Sequence, residues 1–224
     1  MDYRIIGTTV PAVEIDLNAG ESLFSQKGGM VWQKPGIKME TNTNGGIMKG
    51  IGRMFSGETF FMNTFTAEKN STIAFGATAP GSIVPVDVSQ KGIIIQKGAF
   101  LCAQSSVQTK VTLTKRIGAG LFGGEGFILQ DISGTGMVFL EVDGDKVEKE
   151  LAPGEEILVD TGNVVAFDKS CSYEVTMVSG LKNVFFGGEG LFLTKLVGPG
   201  RVILQTQNFN DFAGRIIGMM PRRN

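Results

Sequence analysis

Three segments of the chain carry one pattern in the same order: Phe55-Ser56-Gly57-Glu58-Thr59-Phe60, Phe122-Gly123-Gly124-Glu125-Gly126-Phe127 and Phe186-Gly187-Gly188-Glu189-Gly190-Leu191. Their glutamates, Glu58, Glu125 and Glu189, stand 67 and 64 residues apart. Internal repetition constrains a fold more than local propensity does, because each copy is one supersecondary unit that needs its neighbours to bury its apolar face. The match runs on past the motif: Gln130–Gly136 is answered by Thr194–Gly200, and Val138-Phe139-Leu140 by Val202-Ile203-Leu204. In the first copy Thr72-Ile73-Ala74-Phe75 takes that place. A second feature lies upstream, a turn glycine ahead of an extended apolar stretch: Gly20, Gly98 and Gly154 precede Gly57, Gly124 and Gly188 by 37, 26 and 34 residues. Order is kept while loop lengths drift. The chain therefore reads as one compact body of three repeats, at residues 10–90, 91–150 and 151–207.

The local chemistry is that of strands. Gly92-Ile93-Ile94-Ile95, Val111–Thr114, Phe127-Ile128-Leu129 and Tyr173–Val178 are rich in β-branched and aromatic residues and have turn residues close by. Asp143-Gly144, inside Leu140–Val147, reads as a hairpin turn, since Asp-Gly tolerates positive φ. One helix is expected, over residues 208–220, where Phe209, Phe212, Ile216, Ile217 and Met220 recur at helical spacing. Asn208 or Asn210 would cap it and Pro221 would end it, with Arg215, Arg222 and Arg223 near its C-terminal end.

Composition removes whole classes of function. There is no histidine among the 224 residues, so Ser-His-Asp and Cys-His catalysis and imidazole-ligated metals are out. With 21 Lys+Arg against 22 Asp+Glu, the chain has no general field to draw in nucleic acid or an anionic membrane. Cys102 and Cys171 form no CxxC motif, which suits a reducing setting, and the N-terminus has no signal-peptide profile. No run approaches the ~18 apolar residues of a membrane span. These features together predict a soluble, cytoplasmic, non-enzymatic protein.

The recurring Gly-Gly-Glu-Gly before an apolar strand, with Pro153-Gly154-Glu155 and Asp160-Thr161-Gly162 near the third copy, resembles a prokaryotic family of uncharacterised proteins. The eukaryotic relatives of that family are named for altered inheritance of mitochondria and linked to mitochondrial biogenesis. The resemblance spans Val13 to Ile217. It implies an all-β fold of three tandem units similar to the tryptophan RNA-binding attenuator protein, a short relative of the double-stranded β-helix, around a pseudo-threefold axis. It brings no established active site.

Two groups of residues stand out as candidate sites. Gly57-Glu58, Gly124-Glu125 and Gly188-Glu189 form the repeat motif. On an axis the three carboxylates would converge on a hard cation or form an acidic ring. Off it, each would bond local backbone amides, and mutual repulsion of carboxylates favours that second arrangement. No cofactor or metal is expected. The glycine-rich stretch Gly45–Phe55 bears Ile47, Met48, Ile51 and Met54 with only Lys49 and Arg53 as charges, and with Phe209, Phe212 and Ile216 it forms the expected interface of a homo-oligomer or a protein partner. Gly118–Gly123 matches GxGxxG but is followed by a strand, not a helix, so it is not read as a dinucleotide site. Cys102 falls in a column with Phe24 and Leu158 and reads as a buried hydrophobe, whereas Cys171, next to Lys169, reads as partly exposed. Trp32 with Lys34 and Lys38 is a weak basic-aromatic cluster, and no nucleic acid is expected. The alternatives are a cupin-like protein binding a small ligand or divalent metal through oxygen ligands, and RNA binding by analogy to the attenuator ring.

Overall fold

The structure, a computed structural model, describes residues 1–42, 62–115, 127–177 and 192–220. It is all-β apart from two 3-10 turns and one helix among the described residues. After β1 (Asp2–Ile6) come β2 (Ala12–Leu17), β3 (Ser22–Gln26), β4 (Met30–Gln33), β5 (Ile37–Asn42), β6 (Met62–Ala67) and β7 (Ser71–Gly76). A second run holds β8 (Gly81–Asp87), β9 (Ile93–Gln96), β10 (Phe100–Gln104), β11 (Val107–Lys115), β12 (Phe127–Gly134) and β13 (Met137–Asp143). The third holds β14 (Lys146–Leu151), β15 (Glu156–Asp160), β16 (Val164–Asp168), β17 (Ser172–Met177), β18 (Phe192–Val197) and β19 (Gly200–Gln205). The chain then enters α1 (Phe209–Met219).

Within every run the first and third strands pair antiparallel with the sixth, and the second and fourth with the fifth. The third strand carries a register shift in the same place each time, at Met30/Trp32, Phe100/Cys102 and Val164/Ala166. Runs are joined by pairing the second strand of one with the third of the next, β3 with β10 and β9 with β16. The result is four sheets, β1-β2-β7-β4, β5-β6-β3-β10-β13-β8, β11-β12-β9-β16-β19-β14 and β15-β18-β17.

Three apolar clusters link these sheets in succession. One joins Ile15 and Phe75 of the first sheet to Leu23, Phe65 and Cys102 of the second. The next joins Phe100 and Val138 to Ile93, Ile95 and Ile203 of the third, and the last joins Ile94 and Phe167 to Val159 and Leu196 of the fourth. A strand with a core on each face needs unbroken apolar sequence, not alternation. The run Ile93-Ile94-Ile95 meets this need, with its outer members in one cluster and Ile94 in the other. Full burial of each such side chain stabilises the fold by about 1.5–3 kcal/mol.

Two sequence expectations are corrected by the pairing. Gly20 (φ 88) and Gly154 (φ 79) make the same turn: Asn18 N–H donates to Glu21 Oε2 and Ala152 N–H to Glu155 Oε2, both at 2.8 Å. Gly98 does not belong with them. It sits in the 3-10 turn Lys97–Ala99 that leads into β10, the third strand of its run, whereas Gly20 and Gly154 lead into second strands. The short interval of the middle copy therefore reflects a different turn, and Cys102 does not share a column with Phe24 and Leu158. Asp143-Gly144 does turn the chain, with φ 69 at Gly144, but it makes no hairpin. β13 pairs with β8 and β10, and β14 pairs with β19. Gly144 N–H donates to Pro80 O (2.8 Å) and Asp145 N–H to Thr206 Oγ1 (2.8 Å), so the corner is held by partners on both sides.

Candidate functional site

Apolar side chains with no core to enter are concentrated on α1. The helix begins where predicted: Asn208 Oδ1 accepts from the N–H groups of Asn210 (2.9 Å) and Asp211 (3.4 Å), satisfying donors that a first turn leaves open. Phe209 N–H donates to Asp143 Oδ2 at 2.8 Å, tying the helix start to the end of β13. No residue of the helix is buried, and Phe209, Phe212, Ile216, Ile217 and Met219 are all exposed. Arg215 lies a turn before the helix end, so no basic residue stands in its last turn; Arg222 and Arg223 lie outside the described residues.

Below the start of α1 is a polar cleft of about 230 Å³. Glu141 and Asp143, two apart on β13, reach it together with Gln205 from β19 and Gln26 and Gln96 from the ends of β3 and β9. Thr78 N–H donates to Glu141 Oε2 at 2.7 Å, and Asp143 N–H donates to Gln205 Oε1 at 3.0 Å. Gln205 Nε2 donates in turn to Gly162 O at 2.9 Å. Burial pushes the Glu141 carboxyl up to about 7, against the pull of its Thr78 hydrogen bonds and helped by the Asp143 charge. Asp143 is also raised by burial, partly offset by the Phe209 N–H. The cleft can hold a proton near neutral pH, and its lining carries no Cys, Lys or Ser. Among the described residues no three Cys, Asp or Glu side chains are grouped to hold a metal.

Gly57, Glu58, Gly124, Glu125, Gly188 and Glu189, and likewise Ile47, Met48, Ile51 and Met54, lie outside the described residues, as does Gly118–Gly123. In the sequence these stretches fall between a fourth and a fifth strand that pair with one another, in all three runs. Cys102 is buried as expected, and burial raises its thiol well above the ordinary value. Cys171 is a correction. It is buried under the chain at Pro199, and burial, then Asp168 and Glu150, push its thiol up; Lys169 instead pairs with Asp131. Trp32 donates its indole N–H to Glu14 Oε2 at 3.1 Å and Lys38 pairs with Glu40 at 2.8 Å, so both are engaged with carboxylates. The sequence reading missed Glu141 and Asp143, whose signal is a pair of acids on one face of an otherwise apolar strand.

Comparison with known proteins covers nearly the whole chain. A family model described as mitochondrial biogenesis AIM24 matches residues 3–207. An uncharacterized protein of Streptococcus pyogenes serotype M6 is 31% identical over 219 residues, which is 94% of this chain and 87% of that protein. An X-ray crystal structure of a Streptococcus pyogenes protein superposes with a TM-score of 0.82 at 27% identity, covering 98% of this chain and 99% of the other.

Proposed function

Because the chain belongs to the mitochondrial biogenesis AIM24 family, we propose that it acts without catalysis, as a β-rich scaffold that associates with copies of itself and presents apolar contacts to a protein partner. The observation that carries this reading is α1, an anchored helix whose apolar residues Phe212, Ile216 and Ile217 have no core to enter. Covering such side chains is worth about 1.5–3 kcal/mol each, and a formal net charge of -1 opposes association weakly. The strand pairing supports a division into three units at residues 12–76, 81–143 and 146–205, placing β8 and β14 with the strands they bond to. Such units would form the body of the scaffold, with the stretch Ile47–Met54 as a further contact. Two free, buried thiols suit a reducing compartment such as the cytoplasm, and no described helix is long and apolar enough to cross a membrane.

Light scattering across a micromolar concentration range tests the proposal. The intact protein is expected above 23.9 kDa, and a Phe212→Ser/Ile216→Ser variant is expected to shift towards the monomer. A monomer at every concentration overturns the reading.

A further inference from the structure

The pairing that joins the runs is made twice, yet both of its components occur a third time. In the first junction Ser25 lies opposite Cys102 and Phe24 opposite Ala103; in the second, Ile95 lies opposite Ala166 and Ile94 opposite Phe167. The shared register shift fixes the corresponding places on β4, where Trp32 matches Cys102 and Ala166, and Gln33 matches Ala103 and Phe167. On β15, Leu158 and Val159 match the pairs Phe24–Ser25 and Ile94–Ile95. Among the described residues neither β4 nor β15 has a partner on that side; each is the edge of its sheet. Among the described residues β5, β11 and β17 are edges in every run, and β8 and β14 lack only the β1 that covers β2, so β4 and β15 alone expose the ladder by which runs are joined.

Burial shows the same gap. Leu101, Cys102, Val165 and Ala166 are at most 3% exposed, and Phe24 and Ile94 are 5% and 8% exposed. Their counterparts Val31, Trp32 and Leu158 are 55%, 39% and 63% exposed. An open edge flanked by large apolar side chains is a template for strand addition.

We infer that β15 of one copy adds to β4 of a second copy, setting Gln33 opposite Leu158 and Trp32 opposite Val159, so that copies join head to tail by the junction each already contains twice. The occupant is a second copy because its β15 supplies the side chains that cover the equivalent positions inside the chain. The ladder ends at Pro35: Ser105 N–H donates to Ser22 O at 3.0 Å in the first junction, whereas Pro35 in that place has no N–H. A head-to-tail contact closes into a ring or extends as a filament. This inference rests on the self-association proposed above and gives it a second surface besides α1.

The test mixes two full-length single variants, Gln33→Cys and Leu158→Cys, of which the first carries a size tag, under mild oxidation. Both positions are exposed and both native thiols are buried, so the new cysteines report the contact. Opposed strand positions lie within disulfide reach. The expected result is a mixed covalent dimer at least tenfold more abundant than dimers from either variant alone. In parallel, Leu158→Asp is expected to weaken association at least tenfold while leaving thermal stability unchanged. An intrachain disulfide in the Gln33→Cys/Leu158→Cys double variant, without mixed dimers, shows that the edges close within one chain and overturns the inference. Light scattering showing an oligomer with neither cross-link overturns it while leaving the proposed function standing; a monomer with neither overturns both.

Discussion

Phe24 and Phe100 stack with ring centroids 5.4 Å apart and planes 21° from parallel, across the β3–β10 junction. They come from different runs, so the contact fastens one run of strands to the next. Phe100 is 1% exposed and has no freedom to be replaced by water. Phe100→Ala is expected to cost about 3–5 kcal/mol, from lost burial and the cavity left behind. Chemical denaturation of the variant against the parent measures it.

Glu141 makes stability depend on pH in a definite direction. Its carboxyl binds a proton more readily in the folded chain, at about 7 against an ordinary 4.5, so its contribution is greatest below about pH 4.5 and is lost as pH rises through 7. Asp143 shifts in the same direction. Urea midpoints should fall between pH 5 and pH 8, and Glu141→Gln should flatten that fall, gaining about 1–3 kcal/mol at pH 8. An unchanged slope in the variant would show that the cleft does not hold this proton.

Both thiols are expected to be silent. Cys102 and Cys171 are buried, and burial holds their pKa values up, so little thiolate is present at neutral pH. A colorimetric thiol assay at pH 7.5 should register neither residue in the folded protein within minutes and both in denaturant. Rapid modification of Cys171 alone would mean that the cover at Pro199 opens.

Gly81 tests how closely β8 approaches β13. A Cβ there would lie 1.8 Å from Val142 O, a backbone atom that cannot swing aside. Gly81→Ala should destabilise by at least about 2 kcal/mol, in the range of overpacked sites. Gly214→Ala meets nothing within 4 Å on the helix and should be neutral or raise stability slightly, by about 0.5–1 kcal/mol. Thermal melts of the two variants separate steric from propensity effects.

The strand content was legible because β-branched runs and turn glycines are local signals. The turns at Gly20 and Gly154 could be matched because both spell Gly-Glu and place that glutamate on the same backbone N–H. Gly98 misled because a glycine before an apolar run marks two different turns in this fold, and only partner strands distinguish them. Asp143-Gly144 misled for the same reason, since its flanking strands bond elsewhere. The apolar helix face was readable from its 3.6-residue period. The cleft at Glu141 was not, because its walls include Gln26, Gln96 and Gln205, which lie far away in sequence. The bare edges of β4 and β15 could not be read at all; a missing partner leaves no trace in the residues that lack it.

Every run opens with a strand whose hydrogen-bonding mate is the last of that run, as Val13 with Phe75 and Val147 with Leu204 show. On a translating ribosome, β2 can pair with β1 at once but must wait until β7 has emerged, roughly sixty residues later, before its other ladder can zip, and such distant pairing makes for slow folding. Until then a nascent run is an unclosed set of sticky ribbons, most in need of a chaperone just before its final strand appears.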